Sequence, residues 1–183
     1  MGGACVCLSI PAEPPPGEDY QRLMQRQLTA PIRGVNARDI KDTFRQSRAG
    51  GKLHEATDIV APRGTPIVAI DDGVIQKLFL SKPGGLTVYE FDRQGIYCYY
   101  YAHLDHYASG LKEGMPVTRG DVIGYVGTTG NAPPDTPHLH FAIIRLGPEK
   151  HWWQGTYIDP YPLLMNLVGG SRARAGVDGR ATP

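Results

Sequence analysis

The chain has 183 residues, which allow one domain with a substantial core but are few for two. Its 19 basic and 18 acidic residues leave a net charge of +1, and no basic stripe is present, so nothing predicts nucleic-acid binding. No apolar run approaches the ~18 residues of a membrane-spanning helix, so the sequence predicts no transmembrane segment. The 23 glycines and 16 prolines recur through the middle of the chain, a spacing typical of short strands joined by tight turns.

Residues 1–36 are predicted to form a leader that contains a short helix. The segment Glu18–Leu28 carries apolar residues roughly on one side of a helix, and Pro31 would stop that helix. Small residues precede Cys5, which is compatible with the remainder of a lipoprotein or export signal and hence with a lipid anchor. A modified start of the chain explains these residues equally well.

Residues 37–168 are predicted to form a single, mainly β domain with antiparallel strands. Short apolar or alternating runs are separated there by turns rich in Gly, Pro and Asp. The predicted strands are Asp58–Val60, Pro66–Ile70, Val74–Leu80, Leu86–Phe91, a tyrosine-rich strand that ends at His103, short runs around Val117, Val122 and Tyr125, and a strand that begins at His138. Residues 169–183 are small, polar and Arg-bearing, and are predicted to form a disordered tail.

The three cysteines do not indicate a disulfide framework. Their number is odd, and the close pair Cys5 and Cys7 lacks the paired spacing of a zinc knuckle. Cys98 lies within the tyrosine-rich strand, where we interpret it as a small buried hydrophobic residue rather than a nucleophile.

His138 and His140 flank one apolar residue at the start of a predicted strand. Because side chains alternate between the two faces of a strand, both imidazoles point to one side, while Leu139 and Phe141 point to the other. Two adjacent imidazoles suit a metal ion or a proton-transfer centre. Paired histidines of this spacing also occur by chance.

His54 and Asp58 are four residues apart, which brings them to one side of either a helix or a strand. Two imidazoles and one carboxylate form a standard ligand set for catalytic zinc, with water in the open fourth position. Taken alone, the pair is more typical of a surface interaction. A non-haem iron site uses the same donors, but such triads more usually separate the first histidine and the acid by one residue.

Tyrosines alternate along the strand that ends at His103. Tyr97, Tyr99 and Tyr101 are predicted to share a face with this histidine and to line an exposed aromatic groove that binds substrate. The opposite face, which includes Tyr100, is predicted to belong to the core. The alternative for His103 is a satisfied histidine on a solvent-exposed face.

Four segments follow one another in the order His54–Pro66 (HEATDIVAPRGTP), Tyr101–Leu104 (YAHL), Gly124–Gly127 (GYVG) and Pro137–Phe141 (PHLHF). Together they resemble the lysostaphin/LytM-type zinc metallopeptidases, over roughly two thirds of the chain. The resemblance implies a mainly β domain of the LytM, or duplicated hybrid motif, type, built from an antiparallel β-sheet or sandwich.

The resemblance also implies the roles of individual residues. One zinc ion per chain would be bound by His54, Asp58 and His140, and His103 and His138 would be the catalytic histidines that act on a zinc-bound water. The implied activity is that of a zinc-dependent metalloendopeptidase that hydrolyses peptide bonds in the stem or cross-bridge of bacterial peptidoglycan. Such an enzyme would act outside the cytoplasm, as a periplasmic, envelope-associated or secreted protein.

The chain departs from the family pattern in a few places. Ala56 stands where the family usually has glycine, and it is expected to be tolerated unless the backbone there needs a positive φ. Arg45 also replaces a frequent glycine and is a candidate contact for a substrate carboxylate, although a solvated loop cation is the plainer interpretation. The loop Thr128–Pro137 is expected to form one wall of the groove.

A second hypothesis is a non-catalytic member of the same family that binds the cell wall or activates an amidase. Such members typically lack some metal ligands, whereas every ligand position is filled here, which favours an enzyme. The sequence leaves open which peptidoglycan bond is cut and which oligomeric state the protein adopts.

Overall fold

The computed structural model describes residues 17–175, and within this range the chain is mainly β. The two α-helices are α1 (Glu18–Met24) and α2 (Tyr161–Ala175). The strands are β1 (Ile40–Lys41), β2 (Thr57–Val60), β3 (Pro66–Val68), β4 (Gly73–Ser81), β5 (Gly85–Asp92), β6 (Tyr97–Tyr107), β7 (Pro116–Val117), β8 (Val122–Val126), β9 (His138–Leu146) and β10 (Gly155–Ile158). In this part of the chain, neither helix has the length and apolarity needed to cross a bilayer.

The strands form one antiparallel sheet in the order β1-β2-β9-β6-β5-β4-β7. The far end of β9 also pairs with β10, and β8 joins the end of β6 to β3. The predicted mainly β, antiparallel fold is therefore confirmed. The long strands β9 and β6 lie in the middle of the sheet, so side chains on them are held by neighbours on both sides.

The register of β2 against β9 decides which side chains share a face. Asp58 lies opposite His140, and Ile59 lies opposite Leu139. Directly opposed residues of an antiparallel pair project to the same side. Leu139 and Phe141 are fully buried in the main core, so the two histidines of β9 project to the other side, as the alternation predicts.

A bulge in β6 makes the prediction for the tyrosines wrong. Tyr101 pairs with Val88 and Leu104 with Leu86, so two residues of β6 lie opposite one of β5. The extra residue reverses the alternation, and His103 takes a left-handed φ of 63° there. The three tyrosines predicted to line the groove are fully buried in the main core: Tyr97, Tyr99 and Tyr101.

The segment 17–36 packs onto the domain rather than standing apart from it. Helix α1 ends at Met24, four residues earlier than predicted, yet the chain after it still buries Leu28 and Ile32 in the main core. The side chain of Arg26 bridges two carboxylates of the sheet at 2.8 Å each, those of Asp71 and Asp92. Residues 1–16, which include the proposed lipid anchor at Cys5, lie outside the described residues.

Helix α2 is an element that the sequence analysis did not predict. Its first turns bury Leu163 and Leu164 in the main core. The helix continues through Ala175, so residues 169–175, assigned to a disordered tail, are helical. Composition suggested disorder, but a helix that is already nucleated by buried residues extends at little cost per added residue. Residues 176–183 lie outside the described range.

Candidate metal centre

Three side-chain donor atoms converge on the face of the sheet opposite the main core. Nε2 of His54 lies 2.9 Å from Nδ1 of His140, and Oδ1 of Asp58 lies 3.3 Å and 3.2 Å from these two nitrogens. His54 is in the loop before β2, Asp58 is on β2 and His140 is on the neighbouring β9. The structure thus brings together the predicted ligands, and these residues could hold a metal ion.

The environment of Asp58 fits a metal ion. Its Oδ1 is buried and receives no hydrogen bond, which is costly for a carboxylate unless a cation compensates. Burial alone would raise the pKa of this carboxyl, but His140 and His54 hold it well below its usual range, so the group is ionised. Zinc bonds of 2.0–2.1 Å in tetrahedral geometry separate ligand atoms by about 3.3 Å, close to the observed spacing.

Thr43 holds the two segments that carry His54 and Asp58. The Nδ1 of His54 lies 3.2 Å from the carbonyl oxygen of Thr43, which can only accept, so Nδ1 carries the hydrogen and Nε2 is free to bind a cation. The hydroxyl of Thr43 accepts from the backbone N–H of Asp58 and donates to the carbonyl of Ala56, each at 3.2 Å. Thr43 cannot be recognised from the sequence, because a lone threonine in a loop belongs to no motif.

His103 and His138 are each oriented by a carbonyl of the loop between β8 and β9. Their Nδ1 atoms donate to the carbonyl oxygens of Thr129 and Thr136, at 2.8 Å in both cases. Each Nε2 therefore keeps its lone pair, and that of His138 lies 3.9 Å from Oδ1 of Asp58. The two rings are 5.0 Å apart between centroids. Burial lowers the pKa of His103 to about 4, so its imidazole is neutral near pH 7.

A cavity of about 880 Å³ opens over the converging histidines. The loop predicted as a wall does line it, through Asn131, Ala132, Pro133 and Thr136. Arg45 does not: it is exposed and is not among the lining residues, because its loop directs Arg48 rather than Arg45 towards Asp58. The prediction of Arg45 as a substrate contact is therefore not supported by its position.

Tyr100 is the tyrosine of β6 that lines the cavity. Its ring lies 5.9 Å from that of His140, on the face that the sequence analysis assigned to the core. Burial raises its pKa to about 12, so its hydroxyl stays protonated and able to donate near pH 7. Cys98, two residues before it, is fully buried as predicted, and burial raises the pKa of its thiol.

The sequence of this chain matches a known protein family over the segment that contains the candidate site. Residues 52–160 match the model of peptidase family M23. The chain belongs to peptidase family M23. The matched range contains all three candidate ligands and both further histidines, so the converging groups lie within the family's own domain.

Named relatives of this M23 chain cut different bonds. It is 37% identical over 120 residues to an L-Ala–D-Glu endopeptidase of Bacillus subtilis, covering 63% of this chain and 35% of the relative. It is 30% identical over 124 residues to the glycyl-glycine endopeptidase ALE-1 of Staphylococcus capitis, covering 67% of this chain and 32% of the relative. The chain thus spans about a third of the length of these relatives.

A solved structure shares the fold of this M23 chain. The catalytic domain of the antimicrobial peptidase lysostaphin from Staphylococcus simulans superposes with a TM-score of 0.58 at 30% sequence identity. The likeness covers 68% of this chain and 90% of that domain. The LytM-type fold implied by the sequence resemblance is therefore confirmed.

Proposed function

We propose that this M23 protein is a zinc-dependent endopeptidase that hydrolyses peptide bonds of bacterial peptidoglycan. The observation that carries the proposal is the convergence of Nε2 of His54, Oδ1 of Asp58 and Nδ1 of His140 within 3.3 Å of one another. A donor set of two imidazoles and one carboxylate is typical of catalytic zinc. The spacing of His54 and Asp58 along the chain also favours zinc over a non-haem iron site.

The remaining groups of the site would handle the substrate and its protons. When bound, zinc would polarise the scissile carbonyl and acidify a water molecule. His103 and His138 keep Nε2 free of a hydrogen, and their rings lie beside the ligands, so either could accept a proton from the attacking water and return it to the leaving amine. Tyr100 has a protonated hydroxyl at the cavity and can donate a hydrogen bond to the substrate.

The peptidoglycan substrate is supported by further relatives that are named peptidoglycan DD-endopeptidases. A cavity of about 880 Å³ that is open to solvent suits a stretch of extended peptide. We propose that the protein acts where its peptidoglycan substrate lies, outside the cytoplasm, in the periplasm, at the envelope or in the medium.

The test is digestion of purified sacculi, followed by mass spectrometry of the released muropeptides. We expect new peptide ends that disappear with a chelator and return with added zinc, and about one zinc per chain by metal analysis. Intact muropeptides together with tight wall binding would favour the non-catalytic alternative. Absence of bound zinc under zinc-replete conditions would argue against the metal assignment.

A further inference from the structure

We propose that the substrate peptide carries a free carboxylate beside the scissile bond, and that this carboxylate is held by Lys41, Arg48 and Lys52. The inference rests on the proposed function and specifies the substrate class of the same site. It separates stem peptides, whose D-Glu and diaminopimelate residues bear free carboxylates, from oligoglycine bridges, which bear none.

The charges that line the cavity are unevenly balanced. Among the described residues that line it, three are permanent cations, namely Lys41, Arg48 and Lys52. The lining has one carboxylate, that of Asp58, and this group is already committed to the metal centre. The low dielectric of the walls of a concave site strengthens the positive potential of such an excess of cations, so the cavity attracts an anion.

The three cations stand together on one side of the metal centre. Lys41 lies on β1 directly opposite Asp58, so its side chain projects to the same face. Arg48 approaches Oδ2 of Asp58 to 3.5 Å, and its side chain is half exposed. Lys52 is exposed and lies two residues before His54.

The opposite wall of the cavity is neutral. It consists of Pro83 and Gly84 from the β4–β5 turn and of Asn131, Ala132, Pro133 and Thr136 from the loop before β9. The residues that line the cavity from this side include no charged side chain. A bound peptide would therefore meet cations on one flank only, which fixes the side on which its carboxylate lies.

The geometry suits a carboxylate better than a neutral bridge. The contact from Arg48 to Asp58 is at the limit of a hydrogen bond and leaves most donors of its guanidinium fork available. Such a fork matches the two oxygens of a carboxylate, and the lysines add point charges beside it. A glycine bridge has no side-chain carboxylate, so its binding would gain nothing from the three cations.

The experiment compares matched peptides with the zinc-loaded, full-length protein. One stem-peptide dimer has free D-Glu and diaminopimelate carboxyls, a second has both as carboxamides, and a third carries a pentaglycine bridge. We expect the free acid to show the lowest KM, with an advantage over the carboxamide of about threefold per cation that contacts it, decreasing as salt is added. Equal KM values for the acid and the carboxamide would overturn the inference while leaving the proposed function intact.

Variants locate the effect. Lys41→Gln, Arg48→Gln and Lys52→Gln should each reduce the preference for the free acid, and the triple variant should abolish it, mainly through KM. Arg45→Gln is the matched control, because it removes an exposed cation of the same loop that does not line the cavity. A triple variant that keeps the full preference, or a control that loses it, contradicts the proposal.

A binding measurement distinguishes failure of the carboxylate site from failure of the proposed peptidase function. The affinity of the purified protein for fluorescein-labelled forms of the same peptides is measured by anisotropy, which does not require turnover. Tighter binding of the free acid supports the carboxylate site even if no peptide is cut, in which case the proposed function alone fails. Equal binding of the acid and the carboxamide contradicts the carboxylate site.

Discussion

The histidines of this site differ in which ring nitrogen is hydrogen-bonded to the protein and which one faces the converging donors. His54 is fixed through Nδ1 by Thr43 and presents Nε2 to the centre, whereas His140 presents Nδ1. His103 and His138 are fixed through Nδ1 by carbonyls of the loop before β9. The side chains are therefore set in two groups, one that converges within 3.3 Å and one that stands beside it with free Nε2 atoms. This difference predicts different effects of removing each group.

Alanine substitutions should separate metal binding from turnover. Asp58→Ala and His140→Ala each remove one of the converging donors, so we expect loss of bound zinc and of activity. His103→Ala and His138→Ala leave those donors in place, so we expect retained zinc and a decrease in kcat of about a hundredfold or more. Metal analysis and sacculus digestion on the same preparations check this. Equal loss of zinc in all variants would show that the division of roles is wrong.

Glu90 is a buried carboxyl that lies away from the metal centre. Its Oε2 accepts a hydrogen bond of 2.6 Å from Tyr101, while its Oε1 is buried without a partner. Burial, only partly offset by the hydrogen bond from Tyr101, raises its pKa to about 8. In the unfolded chain the same group loses its proton near pH ~4.3. Between these values the folded protein holds one proton more than the unfolded chain.

This proton difference predicts that the stability contributed by Glu90 falls as the pH rises. The free energy of unfolding should decrease by up to about 1.4 kcal/mol per pH unit between the unfolded and folded pKa values, and level off above the latter. Glu90→Gln removes this titration, so the stability of the variant relative to the wild type should increase from pH 5.5 to pH 8. Urea unfolding of both proteins at the two pH values measures it. Parallel pH profiles would contradict a raised pKa at Glu90.

At the scale of elements, regular alternation predicted β9 correctly and β6 incorrectly. The side chains of His138 and His140 project as a simple strand requires, because β9 pairs with β2 through both histidines without a bulge. In β6 the faces of the tyrosines were predicted by regular alternation from His103. The bulge at this residue shifts the alternation by one, so the tyrosines project to the opposite face. A histidine with left-handed φ carries no signature in composition, so the tyrosines could not be placed on the correct face from sequence.

The three converging donors and the two histidines beside them could be singled out from the sequence because they lie in short contiguous motifs. Thr43 and the lining cations could not, because their roles depend on how the loop before β2 folds back over Asp58. Helix α2 escaped prediction for a related reason. Its buried residues Leu163 and Leu164 form only a short apolar run, and the packing surface that selects a helix is supplied by distant parts of the chain.

The loop between β8 and β9 depends on a close approach at Gly130. A Cβ atom there would lie 2.3 Å from the backbone nitrogen of Gly85 and 2.5 Å from the carbonyl oxygen of Pro83, and its φ is 79°. The neighbouring Thr129 supplies the carbonyl that orients His103. We therefore expect Gly130→Ala to displace this carbonyl, lowering kcat about tenfold or more with zinc retained.

Gly110→Ala is the matched control for this prediction. Gly110 has almost the same φ, 77°, but nothing lies within 4 Å of a Cβ atom placed on it. In the control, backbone strain should lower the free energy of unfolding by about 1–2 kcal/mol, and kcat should stay at the wild-type value. Kinetics of both variants on one peptide substrate decide the matter. If both lose activity equally, backbone strain rather than the loop contact is responsible.

At the scale of the whole molecule, the two faces of the sheet serve different purposes. One face carries the candidate metal centre and the cavity, and the other packs against the main core, to which α1, α2 and the chain around Ile32 contribute. Residues 17–36 contribute no lining residue to the cavity, so this segment does not cover the site. The segment should therefore affect stability without affecting chemistry.

Leu23→Ala tests this separation of stability from chemistry. Leu23 is buried on α1, so the substitution should lower the free energy of unfolding by about 2–5 kcal/mol. Leu80→Ala is the control, since Leu80 is 68% exposed and should change stability by less than about 0.5 kcal/mol. Well below the unfolding temperature, both variants should keep the wild-type zinc content and kcat. A loss of kcat or zinc in folded Leu23→Ala protein would mean that the core face is coupled to the metal centre, because the missing contact lies on the side of the sheet away from the cavity.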